Sequence, residues 1–174
     1  MSSYALMYDS EFKDSKISVL EGLKGTLKTL AAELDDGYPI VLALLKSIAD
    51  EADADMLHHA FPCLHQLCEP AIIKRVPAQA LSLLSDCCTH FARQEADQKV
   101  SQQAAGTMGM IMEFVLLNKA GLTQAFEGGT GVDGSAEVER IWVALLDTVS
   151  TLATDQRHDV RMAALPSLFG SLEK

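Results

Sequence analysis

The stretch EVERIWVALLDTVSTLATDQRHDVRMAALPSLFGSLEK, residues 137–174, carries two apolar stripes with a polar turn between them. The first runs Val138, Ile141, Trp142, Leu145, Val149 and Leu152, and the second runs Val160, Ala164, Leu165, Leu168 and Leu172. Steps of three and four residues place each set on one side of a helix. An apolar side must be covered, and the connection Ala153–Asp159 is long enough only to reverse the chain. The stretch therefore predicts an antiparallel helical hairpin. Within its turn, Asp155 or Asp159 can accept from N–H groups left open at the start of the second helix, and its charge suits that positive helix end. Val160 and Ala164 then face inward.

The same pattern recurs toward the N-terminus. Ile17, Leu20, Leu23, Leu27, Leu30 and Leu34 form a first helical stripe, with Lys16, Lys24 and Lys28 opposite. Gly37 is expected to cap that helix, and Pro39 to open a second carrying Ile40, Val41, Leu44, Leu45 and Ile48. Leu57, Ala60, Phe61, Leu64, Leu67 and Cys68 make a third, in which Pro62 predicts a kink or a late start. Pro77 opens a fourth with Leu81, Leu84, Cys88 and Phe91. The fifth carries Val100, Ala104, Thr107, Met108, Ile111 and Val115; its Gly106 and Gly109 are expected to admit a close neighbour. Ala120–Phe126 predicts a short helical turn, and EGGTGVDGS, Glu127–Ser135, a flexible glycine-rich loop. Residues 1–14 lack periodicity and are expected to be a loose leader. Seven helices over residues 15–174 predict one all-α domain, a short α-solenoid of antiparallel helix pairs.

Composition narrows the function. The chain has 174 residues, 48% of them hydrophobic but only 6% aromatic, so small and aliphatic side chains fill the core. No apolar run approaches the roughly 20 residues of a membrane span, and the N-terminus lacks a signal-peptide layout. A formal charge of −10 argues against nucleic acid or an anionic membrane as the main ligand and favours protein partners. The four cysteines are irregularly spaced, as expected for reduced thiols of a cytoplasmic protein.

Few residues invite chemistry. Cys63, Cys68, Cys87 and Cys88 with His58, His59, His65 and His90 suggest zinc, but no CxxC pair exists, and on one helix Cys63 and Cys68 point roughly 140° apart. Buried thiols and ordinary helix histidines are the simpler expectation. The glycines from Gly128 to Gly134 lack the Gly-Lys-Ser/Thr ending of a phosphate loop. Asp155, Arg157, His158, Asp159 and Arg161 combine acid and base but have no nucleophile beside them, which fits a capping and stacking turn. The residues thus call for no cofactor, no metal and no catalytic activity. Tyr38, Lys74 and Arg75 are candidate partner contacts, Lys74 and Arg75 being the one compact basic pair outside that turn.

Two resemblances sharpen this reading. Asp155, Val160, Arg161 and Ala164 resemble the HEAT-repeat turn, which implies a HEAT/armadillo-like array with Asp155, Asp159, Val160, Arg161 and Ala164 as its structural turn residues. Three blocks, Thr26–Ala49, Ala60–Met108 and Ile141–Leu172, resemble in order the C-terminal helical region of the large Arf guanine-nucleotide exchange factors of BIG type and their Mon-two relatives. The last block is the most specific, with a Trp-x-x-Leu-Leu helix, the turn, and Val160-Arg161 leading to Leu168-Phe169. Tyr38 stands where that family often places Trp, and Pro166 falls inside the last helix. The resemblance implies a non-catalytic scaffold segment for Golgi and endosome vesicle trafficking, since nothing here is similar to the exchange domain. It implies protein partners such as trafficking scaffold components or small-GTPase regulators, and a cytoplasmic, peripheral location at trans-Golgi or endosomal membranes. A general HEAT-repeat adaptor outside trafficking, or a small Cys/His metal- or thiol-dependent enzyme, are the alternatives.

Overall fold

In the computed structural model, which describes residues 13–30, 34, 37–130 and 133–172, helices account for nearly all of the backbone. They are α1 (Lys13–Leu30), α2 (Gly37–Glu51), α3 (Ala54–Leu67), α4 (Ala78–Arg93), α5 (Gln98–Leu117), α6 (Lys119–Thr130), α7 (Gly134–Leu152) and α8 (His158–Leu172), with a 3₁₀ turn at Ile73–Arg75. Among the described residues there is no strand. Among the described residues no helix is long and apolar enough to cross a membrane.

The helices stack in two layers. One runs α1, α3, α5, α8 and the other α2, α4, α7, each helix packing on the next of its own layer; α5 against α8 is the most extensive contact. Stripes that were amphipathic in sequence become the seam between layers, where Leu20, Leu23, Leu27, Leu45, Leu57, Leu64, Leu84, Leu145 and Val149 are wholly buried. The result is an all-α, solenoid-like fold in which a pair buries its apolar side only by lying on its neighbours.

Polar contacts between neighbouring pairs reveal the period. In the first half they join residues 38 to 43 apart: Lys13 with Asp53 and Asp55, Glu21 with His59, Lys46 with Asp86, Asp50 with His90, Leu20 with Cys63, His65 with Thr107. Across the second half the separations rise to between 54 and 63, as in Arg93 with Asp147, Ser82 with Arg140 and Gln94 with Arg157. The added length is α6, an extra helix on the flank of α7.

Several expectations change at this point. Lys13 and Asp14, inside the expected leader, belong to α1, and Lys13 Nζ reaches the carboxylates of Asp53 at 3.0 Å and Asp55 at 2.8 Å; residues 1–12 lie outside the described residues. Gly37 is the first residue of α2 rather than the cap of α1. Pro62 leaves α3 continuous, since Pro62 and His58, whose carbonyl loses its donor, are on the side of the helix away from the core. The expected flexible loop Glu127–Ser135 is mostly helix: Glu127–Thr130 end α6, Asp133 caps α7, and only 131–132 lie outside the described residues. Packing overrides the glycine-rich composition there, with Leu122 and Phe126 buried one turn apart. Of the two mid-helix glycines, Gly109 lies against Ser167 of α8, whereas Gly106 meets no neighbour within 4 Å.

Candidate interaction surface

The Asp155 turn locks two pairs together. Asp155 Oδ1 accepts from the backbone N–H of Arg157 at 2.8 Å, the role expected of a residue opening a helix. The same carboxylate takes a two-pronged contact from the Arg157 guanidinium, Nε at 2.9 Å and Nη2 at 2.7 Å. The remaining prong, Nη1, donates to the Gln94 carbonyl at 2.8 Å, in the turn between α4 and α5. Gln94 is itself fixed by Asp97, whose carboxylate caps α5 through the Val100 N–H. Arg161 Nη1 closes the turn on the carbonyls of Asp155 and Gln156 at 2.6 and 2.9 Å, and Gln98 Nε2 donates to Asp159. Val160 and Ala164 are wholly buried. The Arg157 guanidinium holds the Asp155 carboxyl well down, to about 2, below its ordinary 3.8. Arg157 carries this lock, and a periodicity reading assigns it no partner because Gln94 is 63 residues away.

On the outer side of the second layer, charged residues run as a ladder over three helices. Lys46 and Asp50 of α2 meet Asp86 and His90 of α4, with His90 Nδ1 at 2.6 Å from Asp50 and Nε2 at 3.6 Å from Asp86. Arg93 of α4 approaches Asp147 of α7 at 3.8 Å, and Arg140 of α7 donates to Ser82 and Glu137. Between α4 and α7 this surface opens into a groove of about 410 Å³, with Leu83, Ile141 and Ala144 on its floor and walls beside Arg93, Arg140, Asp86 and Asp147. Such a groove offers both charges and a short apolar contact, the mixture that suits a polypeptide segment.

The other candidates fall elsewhere. Tyr38 is 1% exposed, which removes it from the partner contacts: it precedes Leu42 and Leu45 by one and two helical turns and shares their buried side. Lys74 and Arg75 are exposed, on a 3₁₀ turn anchored by buried Ile73 and Val76, and neither takes part in an ion pair among the described residues. All four cysteines are buried, and burial pushes the Cys63 and Cys88 thiols up to about 12, with Cys68 and Cys87 also well above the ordinary range. Each is therefore a neutral apolar filler; Cys63 donates to the Leu20 carbonyl and Cys88 to that of Ala104. Histidines join helices instead, His65 to Thr107 at 2.9 Å and His90 to Asp50. Among the described residues no three His, Cys, Asp or Glu side chains converge on a metal position. Cys68→Ser, which puts a hydroxyl where no water reaches, is expected to lower stability by roughly 2 kcal/mol with the fold retained, measured by urea unfolding.

No protein-family profile matches the chain, and no solved structure matches it. Among curated proteins, the chain is similar to the protein MON2 homolog of Homo sapiens at 23% identity over 175 residues, covering 91% of the chain and 10% of that protein. The MON2 homolog of Xenopus laevis is 21% identical over the same share of both chains, and that of Drosophila melanogaster 24% identical over 84% of this chain and 9% of its own. The similarity covers between 84% and 91% of the chain, and the chain spans about a tenth of the length of these relatives.

Proposed function

We propose that the chain is a non-catalytic, protein-binding scaffold segment of a vesicle-trafficking protein of Mon-two kind, built from HEAT-type helix pairs and more distantly akin to the BIG-type exchange factors. The observation that carries this reading is the extent of the similarity to MON2 homologues, 91% of the chain rather than one motif. Its chemistry is in keeping. The acids and bases of the outer ladder are spent on one another, and the buried thiols stay protonated, so the surface is suited to binding rather than bond making. The site of action is the cytoplasmic side of trans-Golgi or endosomal membranes, reached through protein partners.

Tagging the protein at its own gene tests this: the tag is expected to overlap a trans-Golgi or endosomal marker, and loss of the protein to misroute cargo. A diffuse tag with normal cargo traffic would sink the proposal. Purified chain added to Arf GTPases loaded with fluorescent GDP is expected to leave the release rate unchanged. Reversing the charge of Lys74 and Arg75 together is expected to weaken capture of a trafficking partner by about tenfold without altering thermal unfolding, because both side chains are solvent-exposed. Unchanged capture would take that pair off the binding surface.

A further inference from the structure

The two ends of the stack differ in polarity. At one end, the exposed side of α1 presents Asp14, Ser18, Gly25 and Lys28, none of them apolar. Terminal repeats of a solenoid carry such a polar outer side. The opposite end is formed by α7 and α8. Helix α8 uses Ser167 to touch Gly109 of α5, and half a turn round the helix its Met162, Leu165 and Phe169 form a stripe at three- and four-residue spacing. Met162 and Phe169 are 53% and 58% exposed. Alongside them, Trp142 and Leu146 of α7 lie on the flank away from the α4 groove, only partly covered. A helix apolar on both flanks is the pattern of an internal member of an array, packed on each side.

We propose that this end surface seats a further helix pair of the same polypeptide, stacked on α7 and α8 as these are stacked on α4 and α5. Two observations select that occupant. The contact is a continuation of one already formed twice in each layer, α3 to α5 to α8 and α2 to α4 to α7. Its area is also small: a helix of 15 residues is about 22 Å long, and two helices side by side are about 20 Å wide, giving on the order of 450 Å² on each partner. A separate partner or a second copy requires about 800 Å² per side to bind stably, whereas a segment tethered on the same chain, at an effective concentration in the millimolar range, does not. The relatives, about ten times the length of this chain, have residues enough for such a pair. The inference does not rest on the trafficking role.

The test places the photoreactive residue benzoylphenylalanine at position 169 of the protein expressed at native length from its own gene. After irradiation and proteolysis, mass spectrometry is expected to find position 169 joined to a peptide of the same polypeptide, outside residues 13–172, with apolar residues at helical spacing. Mixing isotope-labelled and unlabelled protein distinguishes a second copy. Joining to a second copy, to another protein or to lipid, or no joining at all, would overturn the proposal. As an independent readout, Phe169→Lys is expected to leave the Tm of the 174-residue chain within about 2 °C, since the side chain is exposed there, while speeding tryptic cleavage near this end of the native-length protein several-fold. Equal cleavage of both native-length forms would also overturn it.

Discussion

Asp155→Ala is expected to lower the stability of the chain by about 3 kcal/mol and its Tm by about 5–10 °C. Two lines of reasoning reach that size. Holding the carboxyl at about 2 instead of 3.8 corresponds to roughly 2 kcal/mol of preference for its ionised, paired form, and the pair is mostly shielded from water, 19% and 21% exposed. Removing the acceptor also opens the Arg157 N–H and leaves a guanidinium held only by the Gln94 carbonyl, a loss of charged hydrogen bonds worth about 1.5–3 kcal/mol each before solvent compensates. These overlap, so they do not add. The acid dependence follows from the sign of the shift. A carboxyl whose folded value lies below its unfolded one stabilises fully above about pH 4, and that contribution disappears as pH falls through about 2. The gap in stability between the native chain and Asp155→Ala should therefore narrow steadily below pH 4. Asp155→Asn keeps an acceptor for the Arg157 N–H but not the charge, so its loss should be intermediate. Urea unfolding from pH 7 to pH 2 checks all three; a gap that stays constant with pH would show that the ion pair contributes nothing.

How far the sequence discloses this molecule depends on the range of the forces involved. The apolar stripes are local, so Leu20 with Leu23 and Leu27, or Ile141 with Leu145 and Val149, announce their helices, and all of these side chains are buried. The Asp155 turn is local too, and its capping role was legible within five residues. The lock it forms was not, because Arg157 finds its second partner 63 residues back, across two helices and an inserted third. Lys13 failed for the same reason: it lies in an aperiodic stretch, and only folding brings Asp53 and Asp55 to it. Tyr38 and Glu127–Thr130 show a different limit. Tyr38 was expected at a partner contact and four glycines predicted a loop, yet Tyr38 shares a helix side with Leu42 and Leu45, and α6 extends because Leu122 and Phe126 have somewhere to pack.

Gly134→Ala should cost about 3 kcal/mol, although the substitution replaces the worst helix former but proline with the best. Gly134 opens α7 where that helix meets α6, and a methyl group there would overlap the Thr123 carbonyl, lying 2.9 Å from its carbon and 3.1 Å from Glu127 Cγ. The obstacle is backbone, which cannot rotate aside as a side chain can. Neither helix is free to retreat. Asp133 fixes the start of α7 by accepting from the N–H groups of Ser135 and Ala136 at 3.0 and 3.1 Å, and α6 is anchored by buried Leu122 and Phe126. Relief would require the helices to part by on the order of 1 Å, loosening the packing that buries Leu122, Phe126 and Val138. Gly106→Ala supplies the opposite case in the same chain. Gly106 is mid-helix in α5 with no neighbour within 4 Å of its added methyl, so the change should stabilise by about 0.5–1 kcal/mol through helix propensity alone. Thermal unfolding of the two variants should therefore move Tm in opposite directions, down for Gly134→Ala and up for Gly106→Ala. A rise for both would mean that α6 does not press on the start of α7, and the inserted helix would then be a loosely held flank rather than part of the stack.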